Sequence, residues 1–549
     1  MNRDSAIKFG ASIAVVVALF VILYWPAIAS IRWSFIAPHA AIDPDSAPVP
    51  GMSRQAWTRP IGLGRTTIEL VGLVELIAVP IGVALAFALY RTDAFGTRYL
   101  IALLILDAFI PTPLHATAWL GAFGNVGRAQ AIGSRPILTG LWGAAIVHAT
   151  AAIPWIVVIA GLGFRSVERE LEELALLDRP GLSVAFAVTL RRAASALAAA
   201  ALAVAVLVAG DMTVTDLLSI RTYAEESYLQ FQMGDDAAAA SVSLPPFLCL
   251  GILIFLGGRR VLAAEPERLP SVDRSARTWR LGAWRFPVGL IAAFVVLFLT
   301  AVPIGTLVWR AGRVGGNAAA GIAPHWSVEG FVQTIKDSNG DMIDPLKTSV
   351  VLCGSGAAIA VVVAWAIAWG SRSSRFWRIG AAVSLALAFA APGPVAGSAI
   401  VVAYRDIALI YDNPVIMILA YAARSFPYAF LTLWPAVRGL PEAYFDVARV
   451  SGLGSVESVW RIAIPLTRGS IALAWCVAFI VSLGELPASH LVEVPGYTTL
   501  AKRIWELLHT GVESRLAGSA LVYLAFLAFC GTICLFIIKN KIIYKKYYA

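Results

Sequence analysis

The stretch Pro441-Glu442-Ala443-Tyr444-Phe445-Asp446-Val447-Ala448-Arg449-Val450-Ser451-Gly452, running on to Ile462-Ala463-Ile464-Pro465, is a polar interruption between two apolar runs at 414–437 and 467–486. Pro and Glu at its start suit a first helical turn, and Gly452 can take the left-handed backbone that stops a helix. A second amphipathic segment follows, with apolar Val456, Val459, Trp460 and Ile462. The spacing predicts a helix, a turn and a helix laid against one face of a membrane, between two spans.

Composition supports the membrane reading. Of 549 residues 59% are hydrophobic and 14% charged, with a mean hydropathy of +0.77; soluble domains carry near a quarter charged residues. Apolar runs of about 20 residues, the length that crosses a hydrocarbon core, fall at 9–31, 67–90, 100–123, 137–164, 193–218, 237–257, 286–309, 348–370, 379–404, 414–437, 467–486 and 516–538. The expected fold class is all-α, a polytopic membrane protein of about twelve transmembrane helices. The first run ends in Ala27-Ile28-Ala29 as a signal peptide does, but it exceeds a signal core of roughly 7–15 residues and reads as a retained span.

Lys and Arg outnumber Asp and Glu 43 to 34, a net charge of +9. In a soluble protein this invites a nucleic-acid reading; in a membrane protein basic residues gather in cytoplasmic loops whatever the function, so no nucleic acid is expected. The same rule, with roughly 27 basic residues in one set of loops and about 15 in the other, puts both termini in the cytoplasm together with an arginine-rich linker at 258–285. Cys249, Cys353, Cys476, Cys530 and Cys534 all lie in apolar runs and read as small buried hydrophobes; neither they nor the histidines have metal-ligand spacing, so no metal is expected.

The two halves match in order, about 270–280 residues apart. Thr66-Thr67 answers Thr348-Ser349, and the basic turns 91–98 and 372–378 follow. Pro111-Thr112-Pro113 answers Pro392-Gly393-Pro394, and Ile153-Pro154-Trp155 answers Phe426-Pro427-Tyr428. Gly210-Asp211 answers Gly484-Glu485, and Thr222-Tyr223-Ala224 with Tyr228 answers Thr499-Leu500-Ala501 with Trp505. Two parallel copies of one unit give this pattern. A lone proline in a span is often only a kink; paired positions make Pro111, Pro113, Pro154, Pro392, Pro394 and Pro427 candidates for bends that open and close a pathway. Asp107, Asp211, Arg424 and Glu485 are charges at or near membrane depth, which are costly and functional by default. Asp211 and Glu485 lie near span ends, so exposure at the interface is an equal alternative. His115 and His148 stand alone in the sequence, as packed or wetted histidines do.

The quoted stretch resembles the signature of the membrane subunits of binding-protein-dependent ABC importers: an acidic-Ala-Ala triplet, a Gly four residues after the last Ala, then Ile-x-Leu-Pro with its Pro thirteen beyond the Gly. Asp446, Val447 and Ala448 stand at the triplet, Gly452 at the glycine, and Ile462, Ile464 and Pro465 at the close, all with that spacing. In the first half the equivalent segment, 167–192, has Glu172-Glu173-Leu174-Ala175 in the triplet region; Arg179 takes the glycine position, Gly181 follows, and Arg191-Arg192 replace Leu-Pro. That copy is degenerate, and alone it would read as a charged amphipathic loop.

The resemblance implies a type I permease fold with two fused six-helix units, 1–257 (core 66–257) and 286–549 (core 348–538), joined by 258–285. It implies that Glu442, Tyr444, Phe445, Asp446, Ala448, Gly452, Ile462 and Pro465 form one ATPase-coupling loop, and Glu172, Glu173, Ala175, Arg179 and Gly181 a second. The implied partners are two ABC ATPase subunits, expected as a homodimer and carrying the ATP and Mg, a periplasmic or lipid-anchored solute-binding protein, and membrane lipid. This chain would bind no cofactor and catalyse nothing, in line with its lack of a GxxxxGK[ST] loop. The location implied is the inner membrane of a bacterium. The fused form is most like the ferric-iron and thiamine branch, which implies ferric iron as solute, with thiamine, sulfate, molybdate, polyamine or phosphonate as alternatives. A twelve-span ion-coupled secondary transporter is the rival class; it would be expected to place coupling charges near the bilayer midplane, whereas the strongest constellation here is in the loops. A membrane-embedded enzyme would need a nucleophile and base converging from different spans.

Overall fold

The computed structural model describes residues 13–40, 52–124, 136–233, 244, 247–257, 277–315, 324–510 and 513–547. Helix dominates because each span must satisfy its own backbone hydrogen bonds in lipid. In the first half the helices are α1 (Ile13–Arg32), α2 (Met52–Arg91), α3 (Thr97–Ala108), α4 (Thr112–Phe123), α5 (Gly140–Arg165), α6 (Arg169–Asp178), α7 (Ala185–Gly210), α8 (Thr213–Leu217), α9 (Tyr223–Gln232) and α10 (Phe247–Gly257). The second half repeats the order after α11 (Arg285–Ala311): α12 (Val328–Ser373), α13 (Arg375–Ala390), α14 (Gly393–Tyr404), α15 (Val415–Arg438), α16 (Glu442–Val450), α17 (Ser455–Gly484), α18 (Pro487–Leu491), α19 (Leu500–Thr510) and α20 (Glu513–Tyr547). A two-stranded antiparallel ribbon, Arg313–Val314 with His325–Trp326, joins α11 to α12.

Among the described residues nine helices are long and apolar enough to cross a membrane, and up to eleven spans result if each of two bent pairs counts as one. The expected count of twelve is not reached. The run expected at 237–257 is described as a helix only over Phe247–Gly257, and its earlier part lies largely outside the described residues. The runs at 100–123 and 379–404 are not straight: α3 and α4 meet at 104°, α13 and α14 at 107°. Each break falls at the first proline of a Pro-x-Pro pair, Pro111 or Pro392, which is extended and caps the next helix. The segments before the second and eighth runs are helical extensions; α12 has 46 residues, about 69 Å of helix.

The repeat extends to single hydrogen bonds. The Tyr223 amide donates to Thr67 Oγ1 at 3.2 Å, and the Leu500 amide to Ser349 Oγ at 2.8 Å. α1 crosses to the second half, and α11 bridges both, with Leu307 and Ala311 in the second-half core. Leu19, Ile22 and Leu23 of α1 join the core of the second half, and Trp25 donates to the Ala403 carbonyl of α14 at 3.1 Å. Ala292, Val296 and Leu299 of α11 join the first-half core.

Within lipid, helices associate through close packing of small residues. At the crossing of α12 and α15, a Cβ added to Gly356 would lie 2.6 Å from Tyr421 Cβ and 3.1 Å from the Ala422 amide nitrogen, leaving no room for a side chain. Cys353 and Cys534 are buried as expected, whereas Cys249 is exposed and Cys476 and Cys530 are half-buried. Gly356→Val is expected to destabilise by about 1–3 kcal/mol through overpacking. In thermal unfolding of the purified protein in detergent its midpoint should fall clearly, while Gly354→Ala, whose Cβ would meet Trp475 at an ordinary 3.7 Å, should stay near wild type.

Candidate functional site

Two features stand out: a pair of short helices on one face, and a cavity between the halves. On the first face, which α2, α5, α12 and α15 reach at their C-terminal ends, α16 stands clear of the spans. Tyr444, Asp446, Val447, Arg449 and Val450 are exposed, Val450 at 91%, while Ala448 is buried beneath them. Gly452 has φ +80°, and the Leu453 amide bonds back to the Ala448 carbonyl at 2.9 Å, closing the helix with a left-handed stop. Ile462 lies in a widened turn, Val459–Ala463, that leads into Pro465 at the start of the regular helix. Two residues of the expected coupling set also hold the helix to its core span. Glu442 pairs with Arg372 at 2.6 Å, and Phe445 packs edge-on against Trp369 with the Arg372 guanidinium 4.9 Å from its ring.

The first copy occupies the matching place by different chemistry. Glu172 of α6 is fully buried and ion-paired with the equally buried Arg91 at the end of α2; Arg91 also donates to the Phe164 carbonyl at 2.6 Å, and Thr189 donates to Glu172 at 2.5 Å. Arg372 likewise donates to the Leu440 carbonyl at 3.0 Å. Glu173 is an exposed partner of Arg169 at 2.7 Å, and Ala175 is half-buried. Arg179 is extended, so α6 ends without a left-handed stop; Gly181 opens the next turn with its Cα against Trp279, where a Cβ would come within 2.9 Å of the indole. A widened turn, Ala185–Leu190, precedes Arg191 just as one precedes Pro465, so it does not depend on the proline. Arg91 and Arg372 were not singled out from sequence, although their place in the two basic turns, 281 apart, carried the signal.

The cavity, ≈ 190 Å³, lies where the two elbows meet. Pro111, Pro113, Pro392, Pro427, Asp211 and Glu485 line it; Pro154 and Pro394 are buried in their helices without lining it. Gly210 packs on Pro392 and Gly484 on Pro111, so each half's long span ends against the other half's elbow. Aromatic rings face one another across the seam: Phe109 and Trp155 from the first half, Phe389 and Tyr428 from the second, with Trp155 and Tyr428 centroids 6.3 Å apart. Asp211 and Glu485 are not exposed at an interface. Asp211 accepts from the Val214 amide and Glu485 from the Ala488 amide, both at 3.0 Å, so the repeat builds the same cap twice. Glu485 also accepts from Arg424 at 3.1 Å, and His148 Nε2 is 3.7 Å from Asp211. The histidines are therefore not isolated: His115 lies 4.0 Å from Asp107, both buried. Sequence spacing missed these pairs because their members come from different helices.

Beyond the cavity, away from the loop helices, α9 and α19 cross to the opposite half. Tyr228 meets His490 with centroids 6.2 Å apart, and His509 meets Asp216 at 3.4 Å. Glu225 of α9 is buried beside Asp216, and burial foremost pushes its carboxyl from 4.5 up to about 8. A raised carboxyl favours the folded state fully below pH 4.5, and that contribution is lost as pH rises through about 8. The unfolding midpoint in detergent should therefore fall between about pH 5 and 8, and fall less in Glu225→Gln; equal slopes would exclude this group as the cause.

No protein-family model matches the chain. It is 22% identical over 494 residues to the Fe(3+)-transport system permease protein FbpB 2 of Haemophilus influenzae, covering 86% of this chain and 88% of that protein. It is 26% identical over 106 residues to the spermidine/putrescine transport system permease protein PotC of the same organism, covering 19% of this chain and 41% of that protein. With a probable molybdenum ABC transporter permease protein of Haloferax volcanii it shares 34% over 103 residues, 19% of this chain and 38% of that one. The chain thus spans less than half the length of the last two relatives. The relatives it resembles are all transport permeases, and the likeness to the first runs along most of the chain.

Proposed function

We propose that this chain forms the membrane pathway of a binding-protein-dependent importer, built from permease units at 1–257 and 286–549 with 258–285 between them, and that it is powered by separate ATPase subunits. The observation that carries the reading is the pair α6 and α16, presented on one face and each hooked by a buried or nearly buried arginine to the end of a long core helix. In this reading the loop face and both termini are cytoplasmic. An ATPase dimer holding ATP and Mg grips both helices through exposed groups such as Tyr444, Val447 and Val450. When the dimer closes, Arg91 and Arg372 pull on α2 and α12, and the halves rock about the aromatic seam. A solute-binding protein delivers cargo at the opposite face. Ferric iron is the proposed solute, supported by a likeness that runs along 86% of the chain, whereas the polyamine and molybdenum relatives match 19%.

Gly452→Val tests the coupling. A β-branched residue at φ +80° costs about 1–2 kcal/mol and is expected to unwind the end of α16. The variant should reach the membrane in wild-type amount yet lose ATP-dependent uptake and copurify poorly with the ATPase; wild-type uptake would remove the basis for assigning α16 this role.

A further inference from the structure

The seam cavity carries charge that the coupling movement does not require. Its charged side chains are Asp211, Glu485 and Arg424. The carboxylates occupy equivalent places in the repeat, but the guanidinium is unique to the second half: Pro154 and Pro427 are 273 apart, and the same step takes Arg424 to Ala151. His148 also lines the cavity; it is 4% exposed, and its Nε2 has no hydrogen-bond partner. Two anionic groups and one cationic group leave the cavity with an excess negative charge, beside an unsatisfied imidazole nitrogen.

We propose that this cavity selects cations and rejects oxyanions, with Asp211, Glu485 and His148 as the recognition set and Arg424 as a resident cation that occupies Glu485 while the pathway is closed. The inference rests on the importer reading above and gives it a substrate class. Arg424 does not depend on Glu485 for its place. It donates to the Ala388 and Ala391 carbonyls at 3.3 and 2.8 Å, where α13 ends and its carbonyls are unpaired. When the halves rock and α17 shifts against the α13–α14 elbow, Glu485 separates from a guanidinium that stays behind, and an arriving cation replaces it. An oxyanion entering the same space meets two carboxylates, each fixed in place by a backbone amide. Among the described residues no three His, Cys, Asp or Glu side chains are close enough to hold a metal ion, so the closed cavity is a station that screens charge in passage, without a storage site. Ferric ion and a polyammonium chain both fit that chemistry; molybdate does not.

The test uses membrane vesicles from cells making the whole transporter, with labelled ferric iron, spermidine and molybdate as separate probes. Wild type is expected to take up one of the two cations in an ATP-dependent way and to leave molybdate outside. At matched amounts of monodisperse protein, Asp211→Asn with Glu485→Gln should lower that uptake by more than about tenfold, and Asp211→Glu with Glu485→Asp should restore most of it. ATP-driven molybdate uptake, failure to move either cation, or undiminished cation uptake by the neutral pair would each overturn the inference. The first and third of these leave the importer reading standing. That reading fails separately if ATP drives no uptake of any probe and the binding protein does not stimulate ATPase activity.

Discussion

Two arginines at the ends of long helices fix everything on the loop face. Arg91 is wholly buried against Glu172 and the Phe164 carbonyl; a lone buried charge there would cost several kcal/mol, so the ion pair ties α6 to α2 and α5 as one body. Arg372 does the same for α16 through Glu442, Phe445 and the Leu440 carbonyl. Breaking the first hook strands a buried charge, whereas in the second Glu442 is exposed and α16 is held more by Phe445 packing and the Leu440 carbonyl. Without that constraint a nine- or ten-residue helix at a membrane surface would move independently of the spans.

The second constraint is the crossing of α1 and α11 between cores. α1 packs into the core of the second half and α11 into both cores, so the halves cannot part as free bodies. The halves meet at a seam where Gly210 and Gly484 bear on Pro392 and Pro111 and four aromatic rings meet.

Near symmetry makes the departures informative. Both halves build the same backbone bonds from Thr67 and Ser349 and the same caps from Asp211 and Glu485. They differ where charge is placed: Glu172 is buried in one loop whereas Phe445 stacks in the other, and Arg424 stands in one wall of the cavity opposite Ala151. A duplicated backbone thus supports two chemically unequal loop helices and one unequal cavity wall.

The sequence by itself determined the all-helical membrane class, the order of the spans, the two loop helices and the internal repeat. Each of these depends on local apolar length, turn residues or fixed spacing, and each is written along the chain. It left open whether Asp211 and Glu485 were exposed, read His148 as solitary, took the Pro-x-Pro runs as kinked spans and did not single out Arg91 or Arg372. Only the tertiary structure decided these points: besides the bends beyond 100°, the crossing of α1 and α11 between cores, the arginine hooks and the charged seam all join residues tens to hundreds of positions apart. Which helices meet is set by packing within the bilayer, and periodicity along one segment carries no record of the partner it will face.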